Sequence, residues 1–162
     1  NLKYNMEQME QKIIRTLNVY YYGIMAMTLW AGTLAYFLIM KDYVTPIDSL
    51  STIGQAIQYI IIFDALITIP LGLYLCKKQY TKLSTLENEE EKFLGYQKAA
   101  KLRILLVGNT MIFAIAAFYL MGAYQSMLWV AAVSAIGWYF TKPSVRKMEL
   151  ELQPAAPNQE NY

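Results

Sequence analysis

The chain has no histidine, and that absence removes more chemistry than any motif in it adds. Bis-histidine haem ligation is excluded, together with the Ser–His and Cys–His nucleophiles and the usual catalytic zinc sites. A single cysteine, Cys76, excludes an internal disulfide and any dithiol relay. Charge is also scarce: 16% of the 162 residues are charged, against about a quarter in soluble domains. With a formal net charge of +2 and no basic stripe, nothing argues for a nucleic-acid partner. Phosphate-binding glycine loops are missing, so no cofactor is expected and the balance leans away from an enzyme.

What remains is apolar. Hydrophobic residues make up 56% of the chain, the mean hydropathy is +0.25, and the apolar residues are gathered into blocks. Four blocks, at about 17–40, 53–75, 102–123 and 127–141, compare with the roughly 20 residues that cross a 30 Å hydrocarbon core. The sequence therefore predicts an all-α integral membrane four-helix bundle. A four-transmembrane domain would occupy 1–148, with a cytoplasmic helical hairpin at 76–101 and a polar tail at 149–162. The fourth block is the shortest and crosses only by drawing on Trp129 at one face and Trp138, Tyr139 and Phe140 at the other. The first block is too long for a signal peptide and lacks a small-residue cleavage site, so it reads as a retained helix. Of the fourteen basic residues, Lys41 alone falls between blocks one and two or three and four. The positive-inside rule then gives both ends in the cytoplasm and a multi-pass protein of the inner (plasma) membrane.

Residues 5–16 carry Met6, Met9, Ile13 and Ile14 at helical spacing, which fits either a helix lying on the inner leaflet or an extension of the first span. Ser84-Thr85-Leu86-Glu87 has the form of a capping box and predicts that a helix starts there and runs to about Gly122. Glu87, Glu89, Glu90 and Glu91 would sit in its first turns, where the helix dipole favours them. After Met148 two prolines and polar residues predict an extended tail.

Asp64 is the one ionisable side chain inside a span, at its middle. Such a charge is costly in hydrocarbon and with no cation at its depth favours the neutral acid. Thr68 lies one turn away. Pro70 frees the carbonyl of Leu66 and could break the helix beside the acid. Gly54, Ile61, Ala65 and Gly72 form a stripe suited to close helix contact. Asp64, Thr68 and Pro70 form the candidate buried acid or ion site. Gln58, Asn109 and Thr110 could extend it into a polar track, or each could simply stitch helices together. Hydrogen-bond acceptors for the acid are expected at the Leu66 backbone, Thr28 or Ser134. In the last span Ala131, Ser134, Ala135 and Gly137 suggest helix pairing and hence a homo-oligomer, while residues 77–101 offer a surface to a membrane-protein partner.

The turn "YQSMLW", the helix end "FTKP" and the tail "LELQP" with "ENY" resemble a group of uncharacterised four-helix inner-membrane proteins of anaerobic Gram-negative bacteria. The resemblance implies a compartment and no activity. Small multidrug transporters differ in the position of their buried acid, fluoride channels in their broken third helix, and thiol oxidoreductases in their cysteine pairs. The sequence thus favours a non-catalytic bundle, either oligomeric or a small subunit of a larger membrane assembly. The alternative is a proton- or ion-coupled transporter or channel formed between protomers, with Asp64 at the midplane.

Overall fold

The computed structural model describes residues 2–153, which are helical apart from short connections. In order the helices are α1 (Leu2–Met40), α2 (Thr52–Ser84), α3 (Glu89–Leu120), α4 (Gln125–Phe140) and α5 (Val145–Leu152). Three of them, α1, α2 and α3, are long and apolar enough to cross a membrane. With 39, 33 and 32 residues they are about 58, 50 and 48 Å long at 1.5 Å per residue. The 16 residues of α4 cover about 24 Å, less than a typical hydrocarbon core.

Local chemistry sets the boundaries. Ser51, in extended backbone, accepts the Gly54 amide with its side chain and starts α2. Gly54 is needed there because a Cβ would run into the Asp48 carbonyl. Beyond Met40 the chain turns through Asp42 in the left-handed region, at φ 56, and the amides of Tyr43 and Val44 return to the Leu38 carbonyl, which closes the end of α1. The expected capping box at Ser84 does not form. Ser84 is the last residue of α2, and its hydroxyl donates to Thr81. Asn88 caps α3 instead, accepting from the Glu90 amide. A short Asx side chain closer to the glutamates competes successfully for the same role, and Glu89, Glu90 and Glu91 occupy the first turn.

α3 is the axle of the molecule: α1, α2 and α4 all pack on it, whereas α1 and α2 scarcely meet. Close approach depends on glycine. A Cβ on Gly108 would collide with Ile24 of α1, so those two helices pack backbone to side chain. The stripe read from α2 is buried at Gly54, Ile61, Ala65 and Gly72. In α4, Ala131, Ser134 and Gly137 are buried within the chain, and the Cβ position of Gly137 lies 3.2 Å from Ile69 and 3.4 Å from Val107. Those three small residues are occupied by contacts within the chain, and Ala135, the fourth of the expected stripe, is half-buried.

Three further expectations change. Residues 5–16 continue α1 without interruption, and Ile13, Ile14 and Leu17 enter a core with Phe93, Tyr96 and Ala100, so the segment extends the first long helix and is part of the fold. α2 runs through Pro70 to Ser84, so no discontinuous helix accompanies Asp64. Residues 149–152 are the end of α5, not extended chain: Ser144 caps the helix by accepting the Lys147 amide, and Met148 and Leu152 are buried. The rest of the expected tail lies outside the described residues.

Candidate functional site

The carboxyl singled out in the sequence is held by two hydroxyls. Thr68, one turn on along α2, donates to Asp64 Oδ1 at 2.9 Å, and Thr110 of α3 donates to Oδ2 at 2.6 Å. Thr110 is fully buried. Its Oγ1 also lies 3.4 Å from the Leu106 carbonyl of its own helix. A hydroxyl both donates and accepts, so the same three side chains can hold either an ionised carboxylate or the neutral acid. In the second state Thr110 accepts from Asp64 and turns its proton to Leu106. Two of the acceptors expected from the sequence are not used: Thr28 donates to Ile24 of its own helix, and Ser134 Oγ is buried with no partner among the described residues.

The proposed polar track disperses. Gln58 donates to the Ser49 carbonyl at 2.9 Å and fastens the α1–α2 connection. Asn109 points away from Thr110 onto the exposed face of α3 with Leu102, Leu105 and Phe113. That face is the floor of a groove between α1 and α2. On the α1 side Asn109 lines a cavity with Ile24 and Met27. On the α2 side Asp64 lines another, of about 320 Å³, with Ile57, Ile60 and Phe113. Asp64 and Thr110 are thus joined as a site, Asn109 shares only the groove, Gln58 belongs to a loop, and Pro70 is an exposed residue of α2. Among the described residues no three metal-ligating side chains converge.

A second cluster lies at the other end of α2 and α3 and was not foreseen. Arg103, 4% exposed, pairs with Glu151 at 3.0 Å, and Tyr96 donates to the other oxygen of Glu151 at 2.9 Å. The Arg103 guanidinium lies 5.4 Å from the centre of the Tyr80 ring, which itself stacks on Tyr96 at 4.8 Å. Beneath them Cys76 donates to the Ala99 carbonyl. Beside this network is an open cavity of about 480 Å³ lined by Lys77, Tyr80, Arg103, Lys147 and the apolar Leu73 and Phe140. Lys147 donates to the Phe140 carbonyl. Burial, and next the Arg103 charge, lower the pKa of Lys147 below the usual lysine range.

Counted only as a basic residue flanking an apolar block, Arg103 could not be seen as a buried ion pair. Its partner sits in the segment read as a tail. A signal existed: Ser144 as cap, followed by Val145, Met148 and Leu152 at spacings of three and four, is a short amphipathic helix, and Glu151 lies on its edge. The chain matches no protein-family model, no curated protein and no solved structure.

Proposed function

We propose that this is a non-catalytic, multi-pass protein of the inner (plasma) membrane that crosses four times with both ends inside and assembles with a second copy through the groove between α1 and α2. The observation that carries this reading is that Asp64 and Asn109 both open onto that groove, which lies at hydrocarbon depth if the apolar helices cross a membrane. A polar side chain left facing lipid at the middle of a bilayer costs about 3 kcal/mol or more when charged, and the chain's own α1 leaves the groove uncovered. A second copy supplies apolar cover along Leu102, Leu105 and Phe113, and it offers its own Asn109 amide to Asp64 in a self-complementary pairing. The buried stripe of α4 no longer contributes to the argument.

Cross-linking tests it. With Cys76 replaced by serine, Leu105→Cys in native membranes should join into a dimer with a short bismaleimide, and Val133→Cys on the outward face of α4 should not. Absence of dimer from both Leu105→Cys and Phe113→Cys sinks the assembly. For the topology, a reporter after Tyr162 or near Glu90 should read cytoplasmic and one at Asp48 external. A second reading rests on the ability of Asp64, Thr68 and Thr110 to hold the carboxyl in either protonation state, which suits proton- or ion-coupled transport between protomers. Asp64→Asn separates the two: it preserves a bundle and abolishes proton coupling.

A further inference from the structure

We propose that the cavity beside Arg103 binds the phosphate of an anionic amphiphile, with Lys77, Arg103 and Lys147 around the phosphate and Leu73 and Phe140 along the acyl chain. Three cations and one carboxylate meet here, and the carboxylate, Glu151, is already engaged by Arg103 and Tyr96. The cavity is therefore positive without being neutralised by the protein.

Tyr80 Oη and Arg103 Nε have no hydrogen-bond partner among the described residues, but both atoms are sealed from solvent, so the lysine ammoniums and the Arg103 charge are what the cavity offers to a ligand. A phosphate brings several acceptor oxygens to one point, where Lys77 and Lys147 can donate. Lys147, whose ammonium is lowered in pKa by burial and by Arg103, regains its charge preference beside an anion.

The rest of the ligand follows from what surrounds the cations. Leu73 is 40% and Phe140 62% exposed on the wall leading toward the apolar part of α2 and α4, so the ligand extends into an apolar chain. A nucleotide is disfavoured because the faces of the Tyr80 ring are taken up by Tyr96 and Arg103, leaving no platform for a base. Basic pockets between membrane helices at headgroup level commonly receive anionic lipids, and about 480 Å³ accommodates a headgroup. The placement at headgroup level rests on the membrane-spanning reading above, which resistance to alkaline carbonate extraction tests separately.

The full chain is placed in nanodiscs of equimolar phosphatidylglycerol and phosphatidylcholine, and retained lipid is counted by native mass spectrometry. Phosphatidylglycerol should be retained in preference. The double variant Lys77→Gln, Lys147→Gln should reduce its retention about tenfold, while Lys78→Gln, next door but outside the cavity, should leave it within twofold. Lys77 is exposed and Lys147 is half-buried, and unchanged helical circular dichroism shows that the variant is folded. Equal retention of the two lipids, or unchanged retention in the folded double variant, overturns the proposal. Millimolar glycerol 1-phosphate and inorganic phosphate form the second arm. Failure to displace the lipid supports an amphiphile, whereas full displacement by either overturns the role given to the acyl chain.

Discussion

The two polar clusters of this protein solve the same difficulty in opposite ways. At the basic end, a buried cation finds a carboxylate and two tyrosines. In the middle of the apolar part of α2, a carboxyl finds only the hydroxyls of Thr68 and Thr110. On the membrane-spanning reading, distance from water explains the contrast. Near a helix end, long charged side chains and a short amphipathic helix can fold over one another, but at hydrocarbon depth a second full charge would add its own desolvation cost. The first arrangement depends on both partners being present. The second tolerates loss of one, since a threonine hydroxyl can return to the carbonyl a turn back along its own helix.

The largest expected effect follows from that difference. Arg103→Ala leaves Glu151 with only Tyr96 and should destabilise the protein by about 3 kcal/mol, as for other broken buried pairs. Glu151→Gln should cost less, because the amide oxygen can still accept from Tyr96 or Arg103. Denaturant unfolding followed by circular dichroism measures both; a loss for Arg103→Ala no larger than that of an exposed lysine would erase the distinction between the clusters.

At the middle site, Thr110→Val should cost about 1 kcal/mol, in keeping with the modest worth of single hydrogen bonds between membrane helices. Asp64→Asn should cost no more. A loss of 3 kcal/mol in the same assay for either variant would make Asp64 as structurally committed as Arg103.

Tyr80→Phe sharpens the comparison by its sign. Its hydroxyl is buried without a hydrogen-bond partner among the described residues, so its removal should leave stability unchanged or raise it by about 0.5 kcal/mol. Destabilisation by Tyr80→Phe would mean that the hydroxyl belongs to the fold.

The smallest effect concerns pH. Lys147 titrates below the ordinary value of 10.5 because of burial and then Arg103. A lysine with a depressed folded pKa opposes folding while it is protonated. Between its lowered pKa and 10.5 the unfolded chain holds the proton that the folded chain has released, so stability should rise with pH across that window. Lys147→Met should remove that rise, and a profile identical to wild type would place the titration elsewhere.

Helicity, the apolar blocks and the packing stripe of α2 were legible because they are periodic along the chain and need only neighbouring residues. Asp64 stood out for the same reason, as a lone acid in an apolar run. Its grouping with Thr110 was half visible, since Thr110 and Asn109 are adjacent in sequence and point to different faces of α3, one to Asp64 and the other to the groove. Only the rotation of α3 about its axis decides which is which. The ends of the helices were harder: Ser84 and Asn88 are both competent caps, and the choice between them depends on how far Tyr80 and Leu83 carry α2 against Tyr96 and Gly95.

By itself, then, the sequence determined that the chain is helical, that its apolar residues are gathered into blocks of membrane-crossing character, and that histidine- and dithiol-based chemistry is absent, because composition and periodicity are properties of the chain alone; it counted four such blocks, of which three form helices long and apolar enough to cross a membrane. Tertiary structure decided that α3 is central, that Ala131, Ser134 and Gly137 of α4 are buried within the chain, and that Arg103 meets Glu151 across 48 residues. Pairings of that kind depend on which faces two distant helices turn toward each other, and no local pattern encodes that choice.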